Sequence, residues 1–190
     1  MTEVVTQVIR RSFGKGGVKA IASSNSAARL LAGKTMHAAG KMGRGQSLKA
    51  KKLKPNSRAK KALDAEWDRL LLLLADEIGQ ASPPLLAGCS RRASFGRRDL
   101  MRLKMTRAIE EPFGLVLLVV LMGDFMQLNP VASHTLLEAF LRKSSVPGAP
   151  SKITDEDKDG YNVFRKICEN VVLFTGTPGS WTLLCHGCWR

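Results

Sequence analysis

The stretch LLLLLADEI, Leu70 to Ile78, decides how the rest of the chain is read. Five leucines and an alanine in unbroken succession leave no polar residue for a solvent-facing side, so Leu70 to Ala75 reads as a strand buried on both faces. Its end is unlike its body. Two adjacent carboxylates, Asp76 and Glu77, follow the last apolar residue, and in parallel sheets the carboxyl ends of strands are where ligands bind. A strand simply reaching solvent also ends in polar residues. An acidic pair at such an edge is, however, the layout that sets one carboxylate near Mg²⁺ and a second near an attacking water.

A second apolar run, Leu115 to Met122, repeats the pattern and ends in Gly123-Asp124-Phe125, with the amide of Gln127 three residues beyond Asp124. It too reads as a buried strand. Both runs are far shorter than the roughly 20 residues a membrane helix needs. Val18 to Ala22 reads as a short strand, and Ser23, Ser24, Asn25 and Ser26 supply capping oxygens for a helix from about Ala27 to Ala32, with Gly33 as a left-handed stop. Asn56 or Ser57 caps a second helix carrying Leu63, Trp67 and Leu70 at helical spacing. Pro83-Pro84 marks a loop, and Arg91 to Arg107 is helical in part. A turn at Asn129-Pro130 leads to an amphipathic helix near Thr135 to Arg142, with Leu136, Leu137, Phe140 and Leu141 on one face. A last helix around Tyr161 to Glu169 precedes a strand from Val171 to Phe174. Apolar strands alternating with helices give an α/β fold, a parallel sheet with helices on both faces.

AARLLAGKTMH, residues 27–37, fits the permissive phosphate-loop pattern from Ala28 to Thr35. A working loop needs backbone N–H groups turned inward ahead of a helix that starts at the Lys-Thr pair. Here the order is reversed, because Ala-Ala-Arg-Leu-Leu-Ala forms a helix that ends at Gly33. The chain carries 30 Lys and Arg against 16 Asp and Glu, a net charge of +14, which favours polyanionic partners, nucleic acid first. Basic residues crowd Lys41 to Lys61, including Lys51, Lys52 and Lys54, with no acid between them. A solvated loop has the same composition. Four cysteines lack framework spacing, which favours a reducing compartment. Asp155, Asp157, Asp159 and Gly160 mimic the start of a calcium loop whose twelfth position is Lys166 instead of Glu. Cys185, His186 and Cys188 have no second pair to complete a zinc set, and Arg91 to Phe95 has the form of a basophilic kinase site.

The string MGDFMQLNPV, Met122 to Val131, resembles the third helicase motif of the Pif-type DNA helicases, relatives of RecD in helicase superfamily one. IASSNSAARLLAGKTMH resembles their Ia region, LLLLLADEI their Walker B strand, and EEPFG, Glu110 to Gly114, the PFGG before the third motif. Glu66-Trp67 resembles the EW dipeptide of the transposon-linked and protist branches. The resemblance implies a RecA-like P-loop NTPase motor domain over 18–177, truncated at both ends, with a poorly defined segment 1–17 and an aberrant tail 178–190. It implies an ATP-dependent 5′-to-3′ DNA helicase of repair, recombination and telomere maintenance. Asp76 would hold Mg²⁺, Glu77 would activate water, and Asp124 and Gln127 would face ATP, Gln127 sensing its γ-phosphate. Lys34, Thr35 and His37, with Lys51, Lys52 and Lys54, would lie along single-stranded DNA. Nuclear localisation is expected, with the mitochondrion as alternative and neither membrane nor defined protein partner. Three departures stand against full activity. No GxxGxGKT precedes Val18, DEISM has become Asp76-Glu77-Ile78-Gly79-Gln80, and the second glycine of PFGG is Leu115. The competing readings are a non-catalytic basic nucleic-acid-binding module and a pseudogene product.

Overall fold

The computed structural model describes residues 7–8, 10–12, 14, 16–43, 53–97, 111–125, 130, 133–139, 153–168, 171–175 and 182–186. Strands β1 (Val18–Ala22), β2 (Lys34–Thr35), β3 (Leu72–Asp76) and β4 (Leu118–Leu121) form one parallel sheet in the order β2-β1-β3-β4. Helices α1 (Asn25–Leu30), α2 (Met36–Ala39), α3 (Arg58–Trp67), α4 (Pro83–Gly96) and α5 (Asp155–Ile167) accompany it. None of the described helices is long and apolar enough to cross a membrane.

The period of two along β3 divides its leucines between two clusters. Leu73 and Ala75 join Ile21 beneath α2, α3, α4 and α5, whereas Leu72 and Leu74 pack with Val18, Ala20 and Leu31 on the other face. All four leucine and alanine positions from 72 to 75 are therefore buried, but the strand is shorter than the Leu70 to Ala75 run, since Leu71 lies ahead of it and is 38% exposed. At the centre of the larger cluster Trp67 is wholly buried, donates its indole N–H to the Ala39 carbonyl at 3.0 Å, and stacks on Phe113 with ring centroids 6.1 Å apart.

β4 departs from expectation. It is shorter than the Leu115 to Met122 run and only half-buried, with Leu118 at 53% exposure and Leu117, just ahead of the strand, at 78%. The reason is its place: among the described residues β4 pairs only with β3 and forms the edge of the sheet. The strand near Val171 also differs, since β5 (Val171–Thr175) pairs antiparallel with β6 (Thr182–His186) in a separate two-stranded sheet.

The helices correct the sequence reading in four places. Gly33 is not the left-handed residue after α1; Ala32 is, at φ 48°, and the N–H groups of Ala32 and Gly33 bond back to Arg29 and Ala28 in a Schellman arrangement. Gly33 is needed for space, because a Cβ there would lie 2.4 Å from the Ala20 carbonyl oxygen. Pro83 and Pro84 do not form a loop but open α4 behind the Ser82 cap, where a missing N–H is harmless. α5 begins at Asp155, six residues before Tyr161, on a capping box of Thr154 and Asp157. Near Thr135 the described residues form a 3₁₀ turn, Leu136–Ala139, in which Leu136 is buried and Leu137 is 37% exposed, so the two do not share a face; Phe140 and Leu141 lie outside the described residues, as does Asn129.

The segment before β4 runs through three successive left-handed residues, Phe113 (φ 52°), Gly114 (φ 62°) and Leu115 (φ 55°). Leu115 occupies the position where the PFGG pattern has glycine. A leucine there is strained by roughly 1–2 kcal/mol, and at 44% exposure it recovers little by burial. Leu115→Gly is therefore expected to raise the melting temperature by roughly 2–4 °C, about 1 kcal/mol; calorimetry showing no change or a fall would mean that the turn is not strained.

Candidate functional site

In the register of the sheet Ala22 lies opposite Asp76, and Ala75 opposite Leu121. The residues that follow each strand therefore emerge at one edge: Ser23 and Ser24 after β1, Glu77 after β3, Gly123 and Asp124 after β4. Asp76 is half-buried, and its Oδ1 accepts from the Glu77 N–H at 2.9 Å. Glu77 itself is left-handed, at φ 50° and ψ 40°. Its carbonyl accepts from Ser23 Oγ at 2.9 Å and its Oε2 from Ser24 Oγ at 2.6 Å. Asp76 Oδ2 and Glu77 Oε1 have no hydrogen-bond partner among the described residues. Two carboxylate oxygens on consecutive residues are thus left open at the strand end.

The β4 turn is locked against this pair by backbone contact. The Ile78 N–H donates to the Met122 carbonyl at 2.9 Å, and the Met122 N–H to the Ala75 carbonyl at 2.7 Å. A Cβ on Gly79 would come within 2.6 Å of the Asp124 carbonyl oxygen, and one on Gly123 within 2.8 Å of the Ile78 nitrogen. Each glycine makes room for the other turn's backbone. Where the DEISM pattern has serine, Gly79 leaves room for the Asp124 backbone against the β3 turn. Asp124 is exposed at this edge; Gln127 lies outside the described residues.

The nucleic-acid candidates Lys34, Thr35 and His37 lie at β2 and the start of α2. Thr35 caps α2 by accepting from the Ala38 N–H at 3.2 Å, and His37 is half-buried in the last turn of that helix. Lys34 is half exposed, and its Nζ lies 2.7 Å from Glu66 Oε2. Lys54 is exposed, while Lys51 and Lys52 lie outside the described residues. The helix of the apparent phosphate loop ends at Leu30, before Gly33-Lys34-Thr35, as its composition requires.

Sequence reading missed the partner of Lys34. Glu66 bridges it to Lys19, whose Nζ lies 2.5 Å from Oε1 and 5.6 Å from the centre of the Trp67 ring. Burial depresses the Lys19 ammonium below its ordinary range, against the pull of Glu66. Burial also works to raise the Glu66 carboxyl, but hydrogen bonds and charge from Lys19 and Lys34 outweigh it and hold the group below its usual value.

Two of the three incidental motifs find structural explanations. Asp157 bonds the Thr154 N–H and hydroxyl, Asp159 pairs with Arg91, and Gly160 sits against the Pro83 backbone, so DEDKDG is a helix start. Ser94 is buried and donates to the Ser90 carbonyl, out of a kinase's reach in the folded chain. Cys185 and His186 fall on β6, Cys188 lies outside the described residues, and no group of three metal-ligating side chains occurs among the described residues.

A parallel α/β sheet whose carboxyl edge presents an acidic pair beside a Gly-Asp turn defines the class of nucleoside-triphosphate-driven motor domains. Residues 1–146 match the family model described as PIF1-like helicase, and the chain belongs to that family. It is 34% identical over 112 residues to the ATP-dependent DNA helicase PIF6 of Trypanosoma brucei brucei (strain 927/4 GUTat10.1), an alignment covering 59% of this chain and 13% of that protein. Among solved structures, the Pif1 helicase from Candida albicans is 30% identical with a TM-score of 0.49, over 68% of this chain and 26% of that one. Bacteroides Pif1 bound to ssDNA is 23% identical with a TM-score of 0.48, over 68% and 27%. The chain thus spans about an eighth of the curated relative and about a quarter of the solved helicases.

The Glu66 triad gives a pH dependence. A carboxyl depressed in the folded state contributes stability that is complete above its ordinary value of 4.5 and is lost as pH falls through the folded value. Urea melts are expected to show wild type losing stability from about pH 5 towards pH 3 more steeply than Glu66→Gln, which is already weaker at neutrality. Parallel slopes would remove Glu66 from the balance.

Proposed function

We propose that these residues form the carboxylate and strand-end half of a Pif1-like ATP-driven motor that moves 5′-to-3′ on single-stranded DNA, in repair, recombination and telomere maintenance of nuclear DNA. The observation that carries this reading is the pair of open oxygens, Asp76 Oδ2 and Glu77 Oε1, on consecutive residues at the carboxyl edge of β3. Hard carboxylate oxygens suit Mg²⁺, which takes one or two of them and completes its shell with water and substrate phosphates. Asp76 Oδ2 would hold the ion, which when bound to ATP neutralises phosphoryl oxygens. Glu77 Oε1 accepts a proton from water. Asp124, seated against Gly79, places a further carboxylate on the nucleotide side, and Gln127 follows it as the γ-phosphate sensor.

The lysine and hydroxyl that cradle the β- and γ-phosphates are not among the 190 residues. This polypeptide alone is therefore expected to show no DNA-stimulated ATP hydrolysis. Turnover in a phosphate-release assay that vanishes in Glu77→Gln would show that another element supplies the cradle within these residues.

The net charge of +14 supports a DNA-binding role independent of hydrolysis. Exposed Lys54, Arg58 and Lys61 continue the basic run into α3. Single-stranded DNA is expected to bind with steep salt dependence, since counterion release supplies most of the affinity. Replacing Lys51, Lys52 and Lys54 by Gln should weaken binding to all sequences alike and reduce the salt slope by about 2 on a log–log plot; an unchanged slope in fluorescence-anisotropy titrations would make the run a bystander.

A further inference from the structure

We infer that Ser24 is a positioning residue for Glu77: its hydroxyl proton fixes the carboxylate so that Oε1 alone faces the strand edge. The inference rests on the reading of Glu77 as the group that takes a proton from water. A serine hydroxyl has one proton and two lone pairs. Ser24 Oγ accepts the Ala27 N–H at 3.3 Å, and a backbone N–H can only donate. The one proton of Ser24 therefore goes to Glu77 Oε2, 2.6 Å away, in a charge-assisted bond to an acceptor-only group. The result is a polarised series from the Ala27 amide through the hydroxyl to the carboxylate, in which each bond strengthens the next.

Glu77 is held at every other polar point as well. Its N–H is on Asp76 Oδ1 and its carbonyl on Ser23 Oγ, which leaves Oε1 as its one polar atom without a partner. Such anchoring is what a left-handed non-glycine residue requires, because the strained backbone persists only where its surroundings over-determine it. Both hydroxyls come from the loop after β1, so the carboxylate's direction is set from the strand next to its own. A serine cap of α1 explains the Ala27 contact but not the bond to Glu77.

The two roles separate by substitution. Ser24→Asp keeps an oxygen for the Ala27 N–H but has no proton to give and repels Glu77. Ser24→Thr keeps both functions. In ¹³C-labelled full-length chain, the Glu77 carboxyl resonance is assigned by its loss in Glu77→Gln. Ser24→Asp is expected to preserve the slow exchange of the Ala27 amide while shifting the Glu77 carboxyl resonance and averaging its side-chain couplings, and Ser24→Thr to restore both. Should Ser24→Asp fail to fold, Ser24→Ala with Ser24→Asn, which keeps an N–H donor, makes the same comparison. A Glu77 resonance unmoved in folded Ser24→Asp or Ser24→Ala overturns the inference. Failure of the motor reading would show in DNA binding and leave this resonance where it is.

Discussion

The register in which β1 and β4 flank β3 is the constraint on which the rest depends. Parallel pairing fixes which strand ends meet, and a slip of one residue would turn every leucine of β3 to the opposite face. With Ala22 opposite Asp76, the serines of one loop reach the carboxylate of the next strand, and with Ala75 opposite Leu121, the Gly-Asp turn closes over the same edge. Burial of Leu72 to Ala75 on both faces supplies the free energy that holds this register. The site needs no element of its own.

Two departures from the family pattern pull in opposite directions. Glycine in place of serine at position 79 admits the Asp124 carbonyl to a distance that a Cβ would forbid, tightening the contact between the β3 and β4 turns. Leucine in place of glycine at 115 forces a side chain into the left-handed region directly before β4. One change seats Asp124 and the other strains the segment that leads to it. Neither is visible as gain or loss in composition, because the meaning of a glycine depends on whether the backbone there needs rotation or room.

The strands β1 and β3, the acidic edge and the caps Ser24 and Ser57 were legible in the sequence because each is a local signal: an apolar run, its polar end, a hydroxyl ahead of a helix. The exposure of β4 was not, since Leu115 to Met122 is as apolar as Leu70 to Ala75, and only pairing decides which is central. Pro83-Pro84 reads equally as a loop or a first turn until Ser82 is seen to cap it. Aspartates at 155 and 157 suit the positive end of a helix as well as a cation; here Asp157 completes the Thr154 capping box and Asp159 pairs with Arg91. Long-range partners escaped altogether. Glu66 and Lys34 are separated by 32 residues, Ser24 and Glu77 by 53, and no periodicity records such pairs.

The Glu66 bridge changes what Lys34 can do for a nucleic acid. Lys34 is half exposed and could meet a phosphate, but it already faces a carboxylate whose side chain is only 10% exposed. A phosphate arriving there exchanges one anion for another, so the net gain is the difference between two ion pairs, and on a solvated surface that difference is small. If Lys34 leaves, Glu66 retains Lys19 alone. That lysine is itself mostly buried, over Trp67, and cannot follow its partner outward. Removing one member of a buried charge cluster is costly where the remainder stays desolvated. Lys34 therefore holds β2 against α3 through Glu66, whereas the exposed cations of Lys54, Arg58 and Lys61 have no ion-pair partner among the described residues and add to the basic field of this face.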